Sequence, residues 1–265
     1  MLPVNKLDIV FQSGKGKLLN IYCTAGFPAL ESLKEVIVAL QESGADMVEV
    51  GMPYSDPIAD GPVIQQSNMT ALQNGMTISL MFEQLETIKD EVTIPIILMG
   101  YLNPVLQYGV EGFCLSAQKA GVSAVIIPDL PSHEFRMHYK KWFDKYGLKF
   151  IFLVSPVTDK KRMQLADELS SGFLYAVSSS SVTGQASGRP NIEYFQDLKK
   201  ARLKNPVMIG FGIHNKESFE TACKYARGAI IGSAYINAIS GTGSITQATM
   251  AFVHAIIGSE GRAKL

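Results

Sequence analysis

Residues Ala45–Pro62 read ADMVEVGMPYSDPIADGP. Met47 to Val50 have the apolar, β-branched character of a buried strand. Within them sits Glu49, and an ionised carboxylate costs several kcal/mol to bury unless something pairs or uses it. Gly51, Pro53, Asp56-Pro57 and Asp60-Gly61-Pro62 follow at once, a run of turn chemistry that no helix continues through. A carboxylate thus stands on a buried strand, and the loop behind it carries Asp56 and Asp60. Taken singly, Glu49 could pair with a buried Arg, and the two aspartates could cap turns. Three carboxylates on one strand and the loop behind it point instead to acid–base chemistry.

Outward from this unit the same rhythm repeats. Short apolar runs occur near Leu18–Thr24, Met47–Val50, Ile94–Tyr101, Ala124–Pro128, Phe150–Val154, Phe173–Val177, Val207–Phe211 and Ala229–Gly232. Between them lie amphipathic segments. Glu31–Gly44 carries Leu33, Val36, Ile37 and Leu40 on one face, and Ile78–Asp90 carries Met81, Leu85 and Ile88. Gly112–Ala120, Ser132–Tyr146, Asp159–Ser171, Ile192–Leu203, Lys216–Tyr225 and Ser244–Ile257 continue the series. Gly44, Gly121, Gly147 and Gly172 stand where helices should stop.

Eight nearly continuous apolar strands alternating with helices predict a parallel sheet buried on both faces. At 265 residues this is the length of a closed (β/α)8 TIM barrel, about 250 residues. An open doubly wound sheet would need a G-x-G-x-x-G turn, and Gly14-Lys-Gly16 both precedes the first strand and lacks the third glycine. The expected α/β architecture is therefore one TIM-barrel domain over residues 1–265. It has an extra N-terminal helix over Pro3–Gln12 and an inserted helix over Pro62–Asn74, after strand 2.

Composition narrows the function. With 47% hydrophobic residues the chain can bury a large core. Basic and acidic residues balance at 24 each, so no strong field gathers nucleic acid or an anionic membrane. Cys23, Cys114 and Cys223 are odd in number and far apart, which reads as reduced thiols in a cytoplasmic protein. The N-terminus lacks a signal-peptide pattern, and no apolar run is long enough to span a bilayer.

In this barrel the active site forms at the C-terminal ends of the strands. Tyr22, Tyr101, Tyr175 and Phe211 would rim it. Gly212 and Gly232-Ser233 end strands seven and eight, where backbone N–H groups can approach an oxyanion, and a short helix after Ser233 would favour the anion further. Gly184, in the small polar loop 178–188, could complete a phosphate site, and that loop could close as a lid. No Lys ends a strand, so Schiff-base chemistry is disfavoured. The four histidines (His133, His138, His214 and His254) lack metal-ligand spacing, so no metal is expected. Metal-free acid–base chemistry on a phosphorylated small molecule remains.

Val48–Pro62, VEVGMPYSDPIADGP, closely resembles the strand-two signature of the tryptophan synthase alpha subunit family. Ser181-Val-Thr-Gly184, Gly210-Phe-Gly212-Ile213 and Ile231-Gly232-Ser233-Ala234 fit the same family, and the likeness spans essentially the whole chain. The resemblance implies retro-aldol cleavage of indole-3-glycerol phosphate to indole and glyceraldehyde 3-phosphate. It implies no cofactor in this chain, and a beta-subunit partner that binds pyridoxal phosphate, receives the indole and completes an α2β2 heterotetramer. A stand-alone indole-releasing lyase and a non-catalytic regulatory partner of the beta subunit are the alternatives.

Carried onto these residues, the resemblance makes Glu49 and Asp60 catalytic. Tyr22, Ile64, Met99, Tyr101, Ile126, Pro128, Tyr175, Thr183 and Phe211 would bind substrate, Thr183 by bonding Asp60 when the lid shuts. Gly184, Gly212, Gly232 and Ser233 would hold phosphate, and Pro53, Asp56, Asn103 and Pro131 would meet the partner. Tyr22 departs from the Phe common in the family and adds a hydroxyl to the pocket wall. Four serines before Val182 replace an Arg that some relatives carry.

Overall fold

The computed structural model describes residues 4–177, 191–210 and 212–258. Its strands are β1 (Leu18–Thr24), β2 (Met47–Gly51), β3 (Ile96–Met99), β4 (Val122–Ile126), β5 (Lys149–Ile151), β6 (Leu153–Val154), β7 (Leu174–Val177), β8 (Val207–Gly210) and β9 (Gly228–Ile231). All pair in parallel, in the order β5-β4-β3-β2-β1-β9-β8-β7-β6. The two ends of that order, β5 and β6, are consecutive in the chain. The fifth apolar run is thus one strand broken at Phe152, pairing with β4 through its first half and with β7 through its second. At the break the Phe152 N–H bonds the Ser170 hydroxyl (3.0 Å) and its carbonyl accepts the Tyr175 N–H (3.1 Å). The sheet therefore closes on itself as the expected barrel, with nine strand segments where the sequence shows eight runs.

Every residue of β1, β2, β3, β4 and β9 is buried, as a sheet covered on both faces requires. Helices α2 (Ser32–Glu42), α4 (Ile78–Ile88), α6 (Val110–Lys119), α9 (Lys160–Leu169), α10 (Ile192–Lys200), α11 (Lys216–Cys223) and α13 (Ile245–Ile257) form the outer ring. Gly44, Gly121, Gly147 and Gly172 all have positive φ, from 68° to 114°, and stop helices or turn the chain into the next strand.

The N-terminal helix α1 (Lys6–Gln12) lies across the amino ends of the strands. Asn5 caps it and also donates to the carbonyls of Ser123 (2.9 Å) and Gly147 (3.3 Å). Leu7 is wholly buried against Gly172, and the Arg227 guanidinium binds the carbonyls of Phe11 and Lys15. The inserted helix α3 (Pro62–Gln73) starts with Pro62 at its first position, where the missing N–H is harmless. It docks on β1 through the Thr24–Ser67 hydroxyl pair, 2.7 Å apart.

Two segments differ from expectation. Leu102–Tyr108 is a short helix, α5, because Pro104 falls in its first turn, where no intrahelical N–H is required. The helix expected over Ser132–Tyr146 divides into α7 (Ser132–Glu134), a π turn (Phe135–Tyr139) and α8 (Lys140–Tyr146). Phe135, at the start of that wide turn, stacks on Phe150 at 4.1 Å and meets Phe143 and Phe152 edge-on or tilted. Helix α12 (Ser233–Ile239) follows β9, as expected after Ser233.

Candidate active site

The site is built from register. In the β1–β2 ladder Tyr22 lies beside Glu49, and in the β2–β3 ladder Glu49 lies beside Ile97 and Gly51 beside Met99. Side chains at matched positions of parallel strands share a face, so Tyr22, Glu49 and Met99 project into the barrel mouth together. Glu49 is 1% exposed, and its Oε2 accepts a hydrogen bond from Asn20 Nδ2 at 3.1 Å. Burial pushes its carboxyl up to about 8, against the Asn20 bond, with the Asp60 charge adding to the rise.

Asp60 comes from the loop after β2. The loop is folded on itself by Asp60 N–H to the Pro57 carbonyl (3.0 Å) and Ile58 N–H to the Asp56 carbonyl (2.9 Å). Gln65 on α3 donates to the Asp60 carbonyl at 3.0 Å. Tyr101, just beyond β3, donates its hydroxyl proton to Asp60 Oδ2 (3.1 Å) and accepts the Ala59 N–H (3.0 Å). Burial pushes Asp60 up to about 6, and the Tyr101 bond restrains the rise. Two carboxyl groups are thus held where a proton moves on or off near neutrality, which is what a general acid–base pair needs.

Both face a cavity of about 230 Å³ lined by Tyr22, Glu49, Asp60, Ile64, Met99, Tyr175, Gly212, Ile213, His214, Ile230, Gly232, Ser233 and Ala234. Burial holds the phenols of Tyr22 and Tyr175 well above the usual tyrosine range, so both stay neutral. Each ring occupies space that a glycine leaves open. A Cβ on Gly51 would overlap the Tyr22 hydroxyl, and one on Gly210 would overlap the Tyr175 ring. The extra hydroxyl of Tyr22 accepts a long bond from Thr24 (3.4 Å) and so joins the Thr24–Ser67 pair under α3. Beside the Tyr22 and Ile64 side chains, Gly232 precedes α12 with no side chain capping the helix, so its first N–H groups are not taken by a cap.

Nine of the expected residues therefore converge on one cavity: Tyr22, Glu49, Asp60, Ile64, Met99, Tyr175, Gly212, Gly232 and Ser233. Tyr101, Ile126 and Pro128 do not line it. Tyr101 is turned to the Asp60 loop, while Ile126 is buried in β4 beside Met99. Thr183, Gly184, Phe211 and the 178–188 loop lie outside the described residues. Of the four partner positions, Asp56, Asn103 and Pro131 are exposed, whereas Pro53 is buried. Residue reasoning missed Asn20, hidden inside a strand read only as apolar, and His214, weighed only as a metal ligand. His214 Nδ1 lies 2.9 Å from the Gly212 carbonyl, which only accepts, so that nitrogen carries the proton. Among the described residues no group of three His, Cys, Asp or Glu side chains could hold a metal ion.

Comparison with known proteins adds to this geometry. The family model described as tryptophan synthase alpha chain matches residues 11–259. The chain belongs to the tryptophan synthase alpha chain family. Relatives of that name include one from Flavobacterium psychrophilum, 50% identical over 91% of this chain and 95% of its own length. Another, from Parabacteroides distasonis, is 45% identical over 96% and 99%. The fold matches a tryptophan synthase alpha chain crystal structure from Legionella pneumophila with a TM-score of 0.84, 33% identity and 96% of each chain covered. It also matches a tryptophan synthase structure from M. tuberculosis in an aminoacrylate-bound form, with a TM-score of 0.83, 31% identity and coverages of 96% and 99%. Tryptophan synthase alpha chains are TIM-barrel lyases of tryptophan biosynthesis, and the closed parallel barrel here is of that kind.

Proposed function

We propose that this chain is the alpha subunit of a tryptophan synthase and that its cavity cleaves indole-3-glycerol phosphate to indole and glyceraldehyde 3-phosphate. The observation that carries this reading is the convergence of Glu49 and Asp60 on one apolar-walled cavity rimmed by Gly212, Gly232 and Ser233.

The reaction breaks the bond between indole C3 and the glycerol chain. It needs a proton delivered to C3 and a proton removed from the adjacent glycerol hydroxyl, whose oxygen becomes the aldehyde. Glu49, protonated at neutral pH, gives its proton to C3; as a carboxylate it then takes the hydroxyl proton, so the enzyme ends as it began. Protonation at C3 puts positive charge on the ring nitrogen. The ionised Asp60 accepts the N–H and stabilises that charge, with Tyr101 and Ala59 fixing its position.

Tyr22, Ile64, Met99 and Tyr175 clasp the indole ring. Backbone N–H groups around Gly212, Gly232 and Ser233 receive the phosphate, and His214 lines the same cavity. Thr183, Gly184 and Phe211 keep the roles the family resemblance gives them: Asp60 partner, phosphate donor and ring contact.

The partner is a tryptophan synthase beta subunit, which holds the pyridoxal phosphate, in an α2β2 assembly in the cytoplasm. One solved relative is described as a tryptophan synthase complex, from Pyrococcus furiosus (TM-score 0.82, 31% identity). The docking face is the carboxyl end of the barrel. There Asp56, Asn103 and Pro131 are exposed beside apolar side chains that water would not choose, Ile58 (87% exposed) and Leu106.

The test is indole release from indole-3-glycerol phosphate, with and without a beta subunit. Slow release by the chain and a large increase with the partner support the reading. Fast release unaided by the partner makes it a stand-alone lyase, and no indole under either condition overturns the activity.

A further inference from the structure

Asn20 is wholly buried in the middle of β1, level with Met47 on one side and Ile230 on the other. An amide in such surroundings is costly unless its polar atoms are used. Only one end is. Nδ2 donates to Glu49 Oε2 at 3.1 Å, while Oδ1 is buried with no hydrogen-bond partner among the described residues. A leucine would fill this volume and leave no orphan. A buried acceptor left idle beside a titrating carboxyl is explained if its partner is a proton that comes and goes.

We propose that Asn20 is a positioning residue that serves Glu49 in both of its protonation states. Its Nδ2–H holds the carboxylate, and after a half-turn of the amide its Oδ1 accepts the hydrogen bond of the carboxylic acid. The two ends of an amide are nearly equal in size, so the half-turn exchanges donor for acceptor within one envelope. No covalent bond changes; the proton stays on Glu49 until substrate takes it. The inference rests on the reading of Glu49 as the proton shuttle.

Among the described residues, the ionisable groups close to Glu49 leave this task open. Asp60 comes from the β2 loop, Tyr22 and Cys23 from β1, and Tyr175 from β7. None of them carries a positive charge. The bond to the ionised form is charge-assisted and the stronger of the two, so Asn20 on balance favours the carboxylate.

The experiment is a titration of the full chain with ¹³C-labelled glutamate carboxyls, followed by NMR. The Glu49 resonance is identified by its loss in Glu49→Gln. Asn20→Leu should move its midpoint upward by roughly one pH unit. The same variant should lower kcat about tenfold or more, with KM within about twofold, because the defect lies in proton handling rather than binding. Should Asn20→Leu fail to fold, Asn20→Val removes the donor with less bulk and should likewise raise the midpoint. An unmoved midpoint overturns the proposal. So does a moved midpoint with wild-type kcat, since the bond would then exist without serving turnover. A moved midpoint in a protein whose wild type releases no indole removes the reaction and leaves the Asn20–Glu49 pairing standing.

Discussion

The hydroxyl oxygen of Tyr101 is shared between two neighbours, donating to Asp60 Oδ2 at 3.1 Å and accepting the Ala59 N–H at 3.0 Å. A residue expected in the substrate wall is also a brace between β3 and the loop that carries Asp60. Tyr101→Phe should therefore lower kcat/KM by about tenfold and cost about 1–2 kcal/mol of stability, the value of a lost buried hydrogen bond. Steady-state kinetics and thermal unfolding read both. Unchanged kinetics would mean that Asp60 does not need the brace.

Activity should follow a bell in pH. Asp60 must be ionised to receive the ring N–H, so kcat/KM rises through about 6; Glu49 must hold its proton, so it falls through about 8. Asp60→Asn should remove the acidic limb along with most of the activity. A flat profile between pH 5 and pH 9, a window of roughly two units on either side of neutrality, would reject the assignment of roles.

Glu49→Gln should abolish turnover and spare the fold, and its stability should carry a sign that depends on pH. The folded pKa of Glu49 is raised from an ordinary 4.5 to about 8, so between these values the folded state binds more protons than the unfolded chain. Stability from this group is present at low pH and is lost as pH rises toward 8. The glutamine variant escapes that loss. It should be more stable than wild type at pH 8 by an amount on the order of a few kcal/mol, with the gap closing toward pH 4.5. Denaturant titrations at the two pH values check this, and a gap that widens toward acid would contradict it.

Gly51 leaves the space in which Tyr22 lies. Gly51→Ala should displace the phenol into the cavity and cut kcat/KM by about a hundredfold, chiefly through KM, with a smaller effect on folding. Adding Tyr22→Ala should return part of the loss, a coupling that a double-mutant cycle measures. Strictly additive effects would show that the two residues do not share that space.

Most of the barrel was readable because buried parallel strands and amphipathic helices leave different periods in a sequence. Glu49 was conspicuous because a carboxylate inside Met47–Val50 contradicts its surroundings. The break at Phe152 was not readable, since it depends on the Ser170 hydroxyl reaching a backbone N–H from a distant turn. The π turn at Phe135 likewise answers to Phe150 and Phe152, which periodicity along one helix does not see. Asn20 escaped because a single amide in LLNIYCT looks like an interruption, and its meaning exists only once Glu49 is beside it. Ile126 is in register with Met99 and shares its face, so its phase was legible from the strand pattern, whereas its distance from the cavity was not.

Helix α1 is fastened across the amino ends of the strands at Ser123, Gly147, Gly172 and Arg227. It is a stopper in one end of a tube. Whatever is made beside Glu49 faces a corked floor and an open mouth, and that mouth is bordered by Asp56, Ile58, Asn103 and Leu106. Among the described residues the way out from Glu49 is that mouth, and whatever settles on its border governs passage.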